Sequence, residues 1–77
     1  NPFNPITQID YAINISETIS ISIFNLNGIK IESQILGIQN PGKHSWIWDA
    51  TYHSSGEYII QLKTPTYSLN QKVILIK

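Results

Sequence analysis

Residues 18–35 read TISISIFNLNGIKIESQI, and the fold turns on how that stretch doubles back on itself. Its first arm alternates strictly, Ile19, Ile21 and Ile23 toward one side and Ser20, Ser22 and Phe24 toward the other. That period of two belongs to a half-buried β-strand and not to a helix. The second arm sets Ile29, Ile31 and Ile35 against Lys30, Glu32 and Gln34. A two-residue turn at Asn27-Gly28 places Ile23 opposite Glu32 and Ile21 opposite Gln34, a charge against the core. A three-residue loop, Leu26-Asn27-Gly28, instead pairs Ile23 with Ile31 and Ile19 with Ile35 inside, and Ser22 with Glu32 and Phe24 with Lys30 outside. One residue of register exchanges the faces, so burial favours the longer loop. Gly28 then takes the left-handed position that a Cβ makes costly.

The same alternation recurs on either side of this hairpin. ITQIDYAI (6–13) collects Ile9, Tyr11 and Ile13 on one face, KHSWIWD (43–49) collects His44, Trp46 and Trp48, and GEYIIQLK (56–63) collects Tyr58, Ile60 and Leu62. A sixth strand is expected in SLNQKVILIK, and a seventh could lie around 36–41 or near 52–55. NPGK (40–43) is a turn with Pro41 at its first corner and Gly42 at positive φ, and DATYHSSG (49–56) is the expected loop tip. Short strands at this spacing with Gly, Pro and Asn between them predict a small antiparallel β-sandwich of six to seven strands. Its expected core is Ile9, Tyr11, Ile13, Ile19, Ile21, Ile23, Ile31, Trp46, Trp48, Ile60 and Leu62.

Composition narrows what such a domain can be. At 77 residues without cysteine it has neither disulfides nor thiolate metal sites, so burial has to stabilise it, and a hydrophobic fraction of 42% allows that. Net charge is zero, and all five cationic side chains are lysine, a pattern that disfavours nucleic-acid binding. No apolar run approaches the ~20 residues that span a bilayer. The absence of methionine suggests a piece of a larger polypeptide.

Chemistry-bearing residues are sparse. His44, Asp49 and His53 match no ligand spacing, serines lack a nucleophile elbow or an evident base, and Asp10, Glu17, Glu32, Asp49 and Glu57 suggest no paired-carboxylate site. The chain is therefore expected to be neither an enzyme nor the holder of a cofactor. Trp46 and Trp48 could stack on sugars, but a domain this small needs bulky core residues, and core is the expectation. Tyr52 and Tyr67, in loops, are freer to touch a ligand. NPFNP (Asn1, Pro2, Phe3, Asn4, Pro5) is a stiff extended link, with residues 6–77 forming the domain proper.

In order, NPFNPITQIDYAI, ISISIFNLNGIKI, GKHSWIWDA, SSGEYIIQL and QKVILIK resemble the C-terminal sorting domains of the type IX secretion system. The family pattern runs N-P-F-N-P-x-T-x-I-x-Y, apolar alternation, N-x-x-G, G-x-H-x-V-x-W-D-G, S-G-x-Y and a terminal lysine–aliphatic–lysine segment. Ala50 departs from it where glycine is usual, and Trp46 stands where a smaller aliphatic is common. The resemblance implies an immunoglobulin-like sandwich and a signal role for an N-terminal cargo on the same polypeptide. Such a domain is recognised in the periplasm by the outer-membrane translocon and its shuttle components. In several systems a sortase-type cysteine peptidase then removes it, leaving the cargo on the cell surface or outside the cell. A non-catalytic immunoglobulin-like spacer and a carbohydrate-binding accessory module are the alternatives.

The closing QKVILIK breaks the alternation, being apolar on both faces. Val73 and Leu75 face one way, Ile74 and Ile76 the other, with Lys72 and Lys77 at the ends. Either one pair completes the core while the other is offered to the translocon, or both faces are covered within the sandwich. On the first reading the recognition element comprises residues 72–77, with Gly56 and Tyr58 beside it, and Gly28, Gly42 and Asp49 shape the turns.

Overall fold

Alternation along the chain becomes six antiparallel strands in the computed structural model, which describes residues 6–76. They are β1 (Ile6–Ile13), β2 (Glu17–Asn25), β3 (Lys30–Gln39), β4 (Gly42–Asp49), β5 (Gly56–Lys63) and β6 (Ser68–Leu75). β1 pairs with β4 in a two-stranded sheet, and the other four run in the order β3-β2-β5-β6. The two layers make a small all-β sandwich, with no helix among the described residues. Residues 36–39 prolong β3, and 52–55 form a turn instead of a seventh strand. The expected linker, Asn1 to Pro5, and Lys77 lie outside the described residues.

The β2–β3 hairpin corrects the expected register. The loop is Leu26-Asn27-Gly28: the Asn25 amide donates to the Ile29 carbonyl at 3.0 Å, and Gly28 sits at φ +79°. Asn25 also accepts the amides of Asn27 and Ile29 on its own side chain, at 2.9 and 3.0 Å, which is the local chemistry that makes asparagine a turn residue. Phe24 then faces Lys30, but the register slips at once, so that Ile23 faces Glu32 and Ile21 faces Gln34. A second slip sets Ile19 opposite Gly37 at φ +81°. These are β-bulges, and the second uses the glycine that a left-handed position favours.

As a result Ile35, expected inside opposite Ile19, shares the outer face with Ser20 and is 77% exposed, and Ile29 is exposed in the loop. Ile31 and Leu36, each at a slip, pack against the core instead. The polar residues that replace them opposite the isoleucines reach across to the facing layer: Gln34 accepts the Trp46 indole N–H at 3.3 Å, and Glu32 lies 3.4 Å from His53. At the margin of a sandwich such partners make an inward-facing polar side chain affordable.

Two apolar clusters fill the space between the sheets. One holds Ile9, Ile21, Ile23, Trp48, Ala50, Tyr58, Ile60, Val73 and Leu75, and the other Tyr11, Ile13, Ile19 and Leu62. Trp46 is half-buried, not interior as expected, and with Leu36 packs against both clusters, joining them. β4 thus lies over β3, through Trp46 and Gln34. β1 lies toward β5 and β6, where Ile9 and Tyr11 share a groove with Leu62 and Leu69. Glu17 and Thr64 continue the inward positions of β2 and β5 and are buried at the end of the sandwich.

Candidate recognition surface

β6 is an edge strand among the described residues, hydrogen-bonded to β5 from the Lys63–Ser68 pair to the Gly56–Leu75 pair, with its other edge unpaired by any of them. A compact turn launches it. The Thr64 amide donates to the Tyr67 carbonyl at 2.8 Å, while the Thr64 hydroxyl accepts the amides of Thr66 and Tyr67 at 3.2 and 3.1 Å. The Thr66 hydroxyl donates at 2.7 Å to Glu17 Oε1, tying the turn to the start of β2. Glu17 Oε2, buried beside it, has no hydrogen-bond partner among the described residues. Glu17 and Thr64 escaped the sequence reading, although both share parity with the isoleucine and leucine positions of their strands.

Ser68 to Lys72 are all exposed, and the side chains divide sharply only over the last residues of β6 and just beyond it. Val73 and Leu75 are buried against the first cluster, whereas Ile74 and Ile76 are 64% and 72% exposed. Lys72 Nζ sits 2.6 Å from Glu57 Oε1 on the outer face, an exposed pair of the kind that contributes at most ~1 kcal/mol. Gly56 faces Leu75 and Tyr58 faces Val73 across the β5–β6 ladder. Tyr58 itself is buried, edge-on to Trp48 at a centroid distance of 5.3 Å, and its hydroxyl donates to the Ser54 carbonyl at 2.6 Å. What Tyr58 does for β6 it does from inside, by holding the loop and the floor under Val73.

The remaining candidates are dispersed. His44 stacks on Tyr11 at 5.5 Å and reaches the Asn40 carbonyl at 2.6 Å, while His53 stands beside Glu32 and Trp48, so His44, Asp49 and His53 form no common site. Asp49 Oδ1 accepts the Thr51 amide at 3.0 Å and the Thr51 hydroxyl, and these bonds lower its carboxyl pKa. Ala50 is fully buried and keeps ordinary backbone geometry, so the residue standing in place of glycine serves as core. Gly42 carries φ +131° where β4 begins. Trp48 is 1% exposed and cannot stack on a sugar, whereas Tyr52 is almost wholly exposed at the loop tip and Tyr67 partly so.

The outward positions of β1 and β4 carry a polar network, with Ile6 and Ile47 exposed beside it. Asp10 Oδ1 accepts from Gln8 at 2.8 Å and from the Ser45 hydroxyl at 2.9 Å, and these bonds lower the Asp10 pKa. Inside the same sheet, burial raises the pKa of Tyr11, whose hydroxyl donates to Gln39.

A family model described as a secretion system C-terminal sorting domain matches residues 1–77, the whole chain. No curated protein and no solved structure matches it.

Proposed function

The chain belongs to the C-terminal sorting domains of type IX secretion, and from that premise we propose that β6 is the element its export machinery reads. The observation that carries this reading is an edge strand whose Val73 and Leu75 are buried while Ile74, and Ile76 just past its end, are exposed. Val73 and Leu75 hold the strand in one register, and Ile74 and Ile76 are offered outward together with a backbone edge that no described residue pairs with. An incoming strand can add to such an edge, main-chain bonds supplying affinity and alternate side chains supplying selectivity. Lys72 beside Glu57 discourages promiscuous edge-to-edge pairing while the domain waits.

In this role residues 6–77 form a folded, non-catalytic signal and residues 1–5 link it to the N-terminal cargo. The translocon and its shuttle components bind it in the periplasm, and the cargo emerges at the cell surface or beyond. A sortase-type cysteine peptidase cutting ahead of the domain then releases the signal. The test is export of a reporter fused ahead of the full chain in a cell carrying the type IX machinery. Removal of residues 72–77, or the double change I74D/I76D, should leave the reporter in the periplasm. Normal surface export of either variant, with the domain still folded, defeats the reading.

A further inference from the structure

Net charge of zero conceals a division between the two outer faces of the sandwich. On the four-stranded sheet, pairing sets Lys30, Phe24, Ile59 and Lys72 in one row across β3, β2, β5 and β6. The Lys30 ammonium lies 5.9 Å from the centre of the Phe24 ring. One step along, Glu57 faces Ile74, and farther back Lys63 continues the outward positions of β5. Among the described residues three lysines therefore share this face with the single carboxylate of Glu57, which Lys72 already holds. Among the described residues, Lys30 and Lys63 have no ion-pair partner. The outward positions of β1 and β4 carry the opposite balance, Asp10 and Asp49 against Lys43.

We propose that the outer face of the four-stranded sheet docks flat on an acidic protein surface, one presenting an apolar patch ringed by carboxylates. The patch meets Phe24, Ile59 and Ile74, and the carboxylates meet Lys30 and Lys63. This names the chemistry of the partner and rests on β6 being the element that is read, since Ile74 belongs to both surfaces. The charge balance supplies steering, because a cationic face set against an anionic one orients the domain as it approaches. Four strands of eight residues cover ~19 × 26 Å, or ~500 Å², from ordinary strand spacing and rise. That is less than the ~800 Å² per partner of a standard stable interface, which suits a signal that is bound and then released. A lipid surface fits less well: polybasic membrane sites gather about 4–8 lysines or arginines, and among the described residues this face carries three, one of them held by Glu57.

The experiment uses the reporter fusion with three variants: K30E/K63E on this face, D10K on the opposite face, and the 72–77 truncation. K30E/K63E should lower surface export at least fivefold, with reporter accumulating in the periplasm and the domain folded by circular dichroism. D10K should export like the parent. If K30E/K63E and the milder K30Q/K63Q both export normally while the truncation is blocked, the flat-docking proposal falls and the reading of β6 stands. If the truncation exports as well, both fall. Flotation of the purified chain with vesicles of 30% phosphatidylglycerol is the remaining arm, and binding there that K30E/K63E abolishes overturns a protein partner in favour of lipid.

Discussion

Leu75 and Ile74 are neighbours on β6 with opposite surroundings, and truncating each to alanine separates the two faces of the strand. Leu75 is 6% exposed and packs in the cluster that contains Trp48, Tyr58 and Ile60. Losing a buried leucine to alanine costs about 2–5 kcal/mol, the transfer of the deleted groups plus the cavity left behind. An edge strand can partly close that cavity, so the expected cost here is about 2–3 kcal/mol. Ile74 is 64% exposed, and its replacement should stay within about 0.5 kcal/mol of the parent, as for most surface positions. For a domain of this size the Leu75→Ala variant should therefore melt about 10–20 °C lower while Ile74→Ala barely moves. Urea unfolding followed by fluorescence of the buried Trp48 measures both on one scale. Equal costs, or a larger one at Ile74, would refute the register of β6. A slip of one residue turns every side chain over, and with it the surface proposed for recognition.

Gly37 offers a second check. Its φ of +81° lies at the bulge opposite Ile19, where an added Cβ meets no atom within 4 Å, so the cost of Gly37→Ala is backbone strain alone, about 1–2 kcal/mol by urea unfolding. A stabilising or neutral result would mean that the bulge is absent. On the acid side, hydrogen bonds lower the pKa values of Asp10 and Asp49 in the folded state, from Gln8 and Ser45 in the first case and from Thr51 in the second. A depressed carboxylate contributes stability above its unfolded pKa of about 3.9 and loses it as pH falls through the lower folded value. Thermal melts should therefore soften below about pH 4, and D10N/D49N should flatten that slope; an unchanged slope in the double variant counts against these bonds.

Much of the sandwich was legible in residue order because strand formation is signalled locally. The inward runs Ile9-Tyr11-Ile13, Ile19-Ile21-Ile23 and Tyr58-Ile60-Leu62 follow from side chains alternating across a pleated strand, and all nine residues are buried. The loop at Leu26-Asn27-Gly28 was equally local, set by the asparagine and glycine in it. β3 was not legible beyond its first pair. Its inward pattern changes twice, at Ile31 and Leu36, and only Gly37 within an otherwise strand-like run hinted at a bulge. Glu32 and Gln34 looked prohibitive opposite isoleucine because their partners, His53 and Trp46, come from distant parts of the chain.

The recognition surface divides along the same line. That QKVILIK is apolar on both faces, and which residues share a face, are properties of the chain taken alone. Whether the second face is covered depends on whether a further layer packs outside the sheet to which β6 belongs. The tertiary structure decided it: among the described residues no third layer lies outside the four-stranded sheet that β6 borders, so Ile74 and Ile76 remain in solvent. The segregation of Lys30, Lys63 and Lys72 from Asp10 and Asp49 is likewise invisible in a net charge of zero. Alternation sets the side of its strand each residue occupies, but assigning strands to one sheet or the other takes contacts between distant segments, and those exist only in the folded chain.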